Sequence, residues 1–181
     1  MIQEDLLVQT ITGALRNAFD TIRAQTGETE VVGYGVITND DGRAFTPVAA
    51  SQSEQVNGNW KSADDFRFNP ENWDLRAPQE MAMPVYSALA SLEADCTDDD
   101  NDEHWHEAFR SRAYQLFVRA MEGLVAAGYF DSSAASRAAF RMVWVVDSDI
   151  PDLRGRSWCK RLNDNETYRR FTAWLNASLP P

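Results

Sequence analysis

Hydrophobic residues in this chain keep two different periods, and the switch between them restricts the fold more than any other feature. Leu7, Ile11, Ala14, Leu15, Ala18 and Ile22 recur at steps of three and four, the spacing that gathers apolar groups on one face of a helix. Glu4 and Asp5 stand in the first turn, where the helix dipole favours negative charge, and Gly27 supplies a stop. The period then becomes two. "EVVGYGVIT" places Val32, Tyr34 and Val36 on one face and Val31, Gly33, Gly35 and Ile37 on the other. "NDDG" follows, four residues that tolerate turn conformations, and "RAFTPVAAS" completes a hairpin signal. Pro47 has no N–H to give a ladder, so the second strand is expected to be an edge or to bulge there. Gly33 and Gly35 lie inside a strand, with no third glycine and no helix after them. They therefore indicate close packing against a neighbouring element rather than a phosphate loop.

Beyond the hairpin, Asn69-Pro70-Glu71 reads as an N-cap, a proline at the first helical position and a first-turn acid, with Pro78 closing the short helix. Trp73 in that turn is expected to anchor against the sheet. A helix is expected over 80–92, with Val85, Leu89 and Leu92 on one side. The strongest helical pattern runs over 103–130 through Trp105, Phe109, Ala113, Leu116, Ala120 and Leu124, with Gly128 just past its end. "FRMVWVV" over 140–146 is apolar on both faces and β-branched, as in a central strand, and a last helix over 167–179 aligns Tyr168, Phe171, Leu175 and Leu179. The order α, β, β, short α, α, long α, β, α predicts a single α+β domain over 1–181, a mostly antiparallel sheet packed with helices. At 181 residues, 44% of them hydrophobic, the chain can bury a core without staples.

Charge is distributed less evenly than hydrophobicity. Seventeen basic and 28 acidic residues leave a net charge of −11, which opposes nucleic acid and anionic lipid and favours basic partners. Glu93 to Glu107 holds eight carboxylates and both histidines, whereas Asp152 to Arg170 holds six basic residues against three acidic ones. An EF-hand loop beginning at Asp98 would need glycine at its sixth position and glutamate at its twelfth, but Glu103 and Phe109 stand there. His104 and His106 are two residues apart, which on a helix points them to different sides. No metal and no cofactor is therefore expected. Asp102 and Glu103 suit a helix N-terminus, an explanation that does not extend to Asp98, Asp99 and Asp100.

The DxD at Asp147 and Asp149 invites comparison with dehalogenase-type phosphatases, yet it sits late in the chain and Pro151 interrupts their motif. No serine nucleophile elbow or Walker loop occurs, and no catalytic residue is assigned. "RGRSWCKR" is basic with one tryptophan, a weak nucleic-acid signal opposed by the overall charge. It reads better as a solvated face or as a counter-charge to the acidic stretch. Cys96 and Cys159 lack paired spacing and read as free thiols of a reducing cytoplasm. Acids at the N-terminus, where a signal peptide would be positive, and no apolar run near the length of a membrane span also predict a cytoplasmic chain without a membrane.

The hairpin "YGVITNDDGRAFTPVAAS", the box "FRFNPENWDL" and the strand end "VVDSDIPDLRGRSWCKRLND" together resemble the bacterial domain of unknown function family 4303 over nearly the full length. The resemblance implies a small cytoplasmic protein and, for members encoded beside polymorphic toxins, an immunity role. On that reading Asp98, Asp99, Asp100, Asp102, Glu103 and Trp105 form the face that docks a basic cognate toxin, although Trp105 also fits the core stripe of its helix. The alternative is a small-ligand-binding or hydrolytic domain using Asp147, Asp149, His104 or Arg156 in a pocket.

Overall fold

A computed structural model of the protein describes residues 4–27, 30–97, 105–146 and 155–178. Helix α1 (Glu4–Thr26) runs along the expected stripe, with Leu7, Ile11, Ala14, Leu15, Ala18, Phe19 and Ile22 buried. It ends where Gly27 turns to φ 86° and donates its N–H to the Arg23 carbonyl at 2.8 Å.

Strands β1 (Val31–Thr38) and β2 (Thr46–Ser51) form the expected antiparallel hairpin. A two-residue strand β3 (Leu75–Arg76) pairs with β2, and β4 (Phe140–Val145) lies parallel to β1, giving the order β3-β2-β1-β4. Two of the three pairings are antiparallel, and helices cover both faces of the sheet, so the domain is α+β as expected.

The irregularity expected at Pro47 falls instead between Val31 and Gly33. That bulge changes the facing of the first strand. Val31, Tyr34 and Val36 join one core layer, while Val32 and Ile37 pack with the other. Strict alternation had placed Val31 and Val32 the opposite way round, because a pattern of period two contains no extra residue. Nor is β2 an edge, since the short β3 flanks it.

One face of the sheet is covered by α1, α4 (Met83–Thr97) and α5 (Trp105–Ala126), with Val85, Leu89 and Leu92 of α4 and Phe109, Leu116, Phe117 and Leu124 of α5 buried there. The opposite face is built on aromatic residues. Phe140, Met142 and Trp144 of β4 meet Phe66 of α3 (Ala63–Arg67), Phe68, Trp73 and the inward face of α8 (Asn165–Ser178). Short helices α2 (Gln52–Asn57) and α6 (Ala134–Ala138) fill connections.

Asn69 caps a 3₁₀ turn, Pro70–Asn72, by accepting the Glu71 N–H at 3.2 Å. The cap was legible, but the turn ends well before Pro78, which instead introduces a second 3₁₀ turn, Gln79–Ala82, ahead of α4. Trp73 explains the strand glycines. A Cβ on Gly33 would stand 2.9 Å from its ring, and one on Gly35 would stand 3.0 Å from the ring and 2.9 Å from the Met142 carbonyl. The indole thus lies where two side chains are missing, and its N–H donates to the Phe66 carbonyl at 2.9 Å.

β4 is buried on both faces but is the last strand of the sheet, not a central one. The additional helix α7 (Arg156–Leu162) ends at Asn163, whose side-chain amide takes the place of a neighbouring strand. It accepts the Arg141 N–H at 2.9 Å and donates to the Arg141 carbonyl at 2.7 Å. An edge covered in this way offers no free ladder at that residue.

Asp164 then begins α8, accepting the Thr167 N–H at 2.7 Å, and that hydrogen bond is the main reason its carboxyl lies below the ordinary range. Asp164→Ala is expected to cost about 1 kcal/mol, the usual worth of such a cap. The carboxyl titrates lower in the folded chain than in the unfolded one. Its contribution is therefore full above the unfolded pKa of about 3.9 and is lost as pH falls through the folded value. Urea unfolding of parent and variant should converge in acid, while Asp164→Asn, which keeps a neutral acceptor, should show a flatter pH dependence.

Candidate functional site

The hairpin tip is fixed to the start of α5, and this contact assembles an acidic end of the molecule. Gly42 adopts φ 75° and donates to the Asn39 carbonyl at 3.0 Å, while the Asn39 side chain accepts the Ala44 N–H at 2.8 Å. A Cβ at Gly42 would lie 3.2 Å from Arg110 Cα, so only glycine suits both the left-handed turn and the close approach. Tyr114 donates its hydroxyl to the carbonyls of Asn39 and Asp40. Burial, reinforced by Asp40, pushes that phenol up to about 12, so the donor keeps its proton throughout the neutral range.

Asp40, Asp41, His106, Glu107 and Arg110 consequently border a shallow hollow of about 140 Å³. Arg110 lies 3.8 Å from Asp40 and 3.9 Å from Glu107, loose pairs whose acidic side chains remain 55% and 71% exposed. Such contacts stabilise little and leave the acids available to a partner. Nearby, Arg43 bonds Glu93 at 2.6 Å and Asp41 at 3.2 Å, and Arg112 joins Asp95 at 3.1 Å to Glu4 at 3.2 Å. These arginines tie the hairpin, α4, α5 and α1 together.

Of the residues expected at a docking face, Trp105 is described. It is half-buried at the start of α5, stacks on His106 with ring centroids 3.4 Å apart, and lies 6.0 Å from the Arg43 guanidinium. It packs against the larger core while keeping part of its surface open. Asp98, Asp99, Asp100, Asp102 and Glu103 lie outside the described residues, as do His104, Asp147 and Asp149. Among the described residues no three His, Cys, Asp or Glu side chains converge as metal ligands. No helix there is long and apolar enough to cross a membrane.

The described part of the basic segment is a helix with one face buried and its charges on the other. Trp158, Cys159 and Leu162 of α7 are buried, and Arg161 makes two bonds of 2.6 Å to Glu122 in α5. Arg156 donates to Asn176 at 2.7 Å, and Arg170 to Asp64 at 2.6 Å. Both cysteines are free and buried, and burial pushes the Cys159 thiol up to about 12, which makes it inert as a nucleophile.

A second concavity went unread in the sequence. Trp60 of the α2–α3 connection, Trp144 of β4 and Trp174 of α8 border a cleft of about 510 Å³ on the aromatic face. Trp144 follows Phe140 and Met142 on alternate residues, and Trp174 stands three beyond Phe171. Those spacings could have aligned both with that face, but nothing local could have joined them to Trp60.

The fold and its surface thus define an α+β protein in which one hydrogen-bonded sheet carries an acidic end and a tryptophan-lined cleft. Over residues 11–164 the chain matches the family model described as Domain of unknown function (DUF4303), and it belongs to that family. No curated protein and no solved structure matches the chain.

Proposed function

We propose that this chain is a non-enzymatic binding protein of the bacterial cytoplasm, an immunity protein that neutralises a basic cognate toxin through its acidic end. The observation that carries the reading is the pinned hairpin, which gathers exposed Asp40, Asp41 and Glu107 beside the half-buried Trp105. In sequence, Asp98, Asp99, Asp100, Asp102 and Glu103 immediately precede that tryptophan. An acidic surface accelerates encounter with a basic one, and a partly buried aromatic at its centre is the kind of residue that dominates binding energy. A toxin with a cationic substrate cleft presents the complementary surface.

Co-purification of the tagged protein with the product of the adjacent gene, followed by a toxicity assay of that product, tests the reading. A stable complex that abolishes toxicity is expected. Absence of both complex and protection would remove the immunity role.

A further inference from the structure

We propose that the tryptophan-lined cleft is a binding site for a neutral saccharide, distinct from the acidic end and independent of the immunity reading. Its volume of about 510 Å³ lies within the span of roughly 300–1,000 Å³ typical of small-molecule sites. The three indoles are held from behind and by their N–H groups. Trp60 donates to the Glu54 carbonyl at 3.0 Å, Trp144 to Glu71 at 2.6 Å and Trp174 to Asp65 at 3.0 Å. Phe66 backs Trp60 with ring centroids 4.9 Å apart, and Phe171 backs Trp174 at 5.9 Å. Trp60 and Trp174 are nevertheless only half-buried. Fixed rings with part of their surface left wet, around one concavity, exceed what filling a core requires.

The polar lining decides the ligand's charge. Asp65 and Glu71 oppose an anion, whereas Lys61 opposes a cation, and Asn59 and Asn72 each offer a donor and an acceptor. Both carboxylates already accept an indole N–H, at 3.0 Å for Asp65 and 2.6 Å for Glu71, and Lys61 offsets one of them, so the occupant assigned is neutral, with both donors and acceptors to match. Ring geometry narrows the class further. Trp144 is only 3% exposed and closes the floor, and Trp174 is inclined to it at 48° with centroids 6.5 Å apart, so the cleft lacks the parallel slot that clasps a flat heterocycle. A puckered sugar ring can set its C–H face against the open part of Trp60 or Trp174 and direct its hydroxyls to the amides and carboxylates.

Titration of the full chain with glucose, galactose, mannose, N-acetylglucosamine, maltose and cellobiose, followed by tryptophan fluorescence and calorimetry, tests this assignment. At least one sugar is expected to bind. Trp60→Ala and the double variant Asn59→Ala/Asn72→Ala should each weaken it by about tenfold or more, or about 1.4 kcal/mol, with circular dichroism unchanged. The double variant decides the matter if Trp60→Ala fails to fold, because both amides line the rim. No response to any of the six sugars would overturn the proposal, as would unaltered binding by the variants. Binding of adenosine or tetramethylammonium in place of every sugar would overturn it equally.

Discussion

Replacing Trp73 by alanine should cost roughly 3–5 kcal/mol, the range for truncating a buried aromatic side chain. The indole is 2% exposed and fills the space above Gly33 and Gly35, where no neighbouring side chain can spread to occupy the void. Truncation also removes the indole N–H from the Phe66 carbonyl, which keeps only the longer bond from the Asn69 N–H at 3.4 Å. Against a total stability of about 5–15 kcal/mol, such a loss unfolds a large share of the chain at moderate urea concentration. Trp73→Phe separates the two contributions. It retains most of the ring contact but lacks the N–H, so its unfolding midpoint should fall between those of the parent and the alanine variant. A midpoint for Trp73→Ala indistinguishable from the parent would contradict this packing. The residue is framework, and its loss should impair any binding function only through the fold.

Reversing charge at the acidic end should act in the opposite manner, on association and not on folding. Asp40→Lys/Glu107→Lys breaks two loose, exposed pairs with Arg110, at 3.8 Å and 3.9 Å. Pairs of this kind are worth about 0–1 kcal/mol. Asp98→Lys/Asp99→Lys/Asp100→Lys inverts the adjoining acidic run in the sequence. With the adjacent-gene product as partner, each set should slow association by roughly tenfold or more at low ionic strength, within the span of electrostatic steering. Added salt should erase most of the difference, because screening shortens to about 3 Å at 1 M. Stopped-flow measurement at several salt concentrations provides the test. Unchanged association at low salt would remove the acidic end from the interface.

The contrast between these predictions follows how the chain encodes each feature. Trp73 and the strand glycines were legible as framework because a glycine pair within a strand requires a close neighbour, and an N-capped turn beside a tryptophan supplies one. Glu93 and Glu107 were legible as charge, yet their meeting with the hairpin was not. The tie runs through Gly42, Tyr114 and Arg110, residues whose separate local signals give no hint of a shared contact. The basic segment was legible only as charge for a related reason. Its charges were counted without its helical face, on which Trp158, Cys159 and Leu162 turn inward while Arg161 reaches Glu122.

Local patterning was sufficient for the long helices, the hairpin, the Asn69 cap and the α+β class, because periodicity and turn chemistry act over a few neighbouring residues. It was insufficient for the bulge that exchanges Val31 and Val32, for the parallel seat of β4 and for Asn163 standing in as its neighbour. Nor could it bring Trp60, Trp144 and Trp174 around one cleft. Each of these depends on groups distant in sequence satisfying one another's hydrogen bonds or filling one another's volume. Such constraints exist only once the sheet and its two helical layers have closed together.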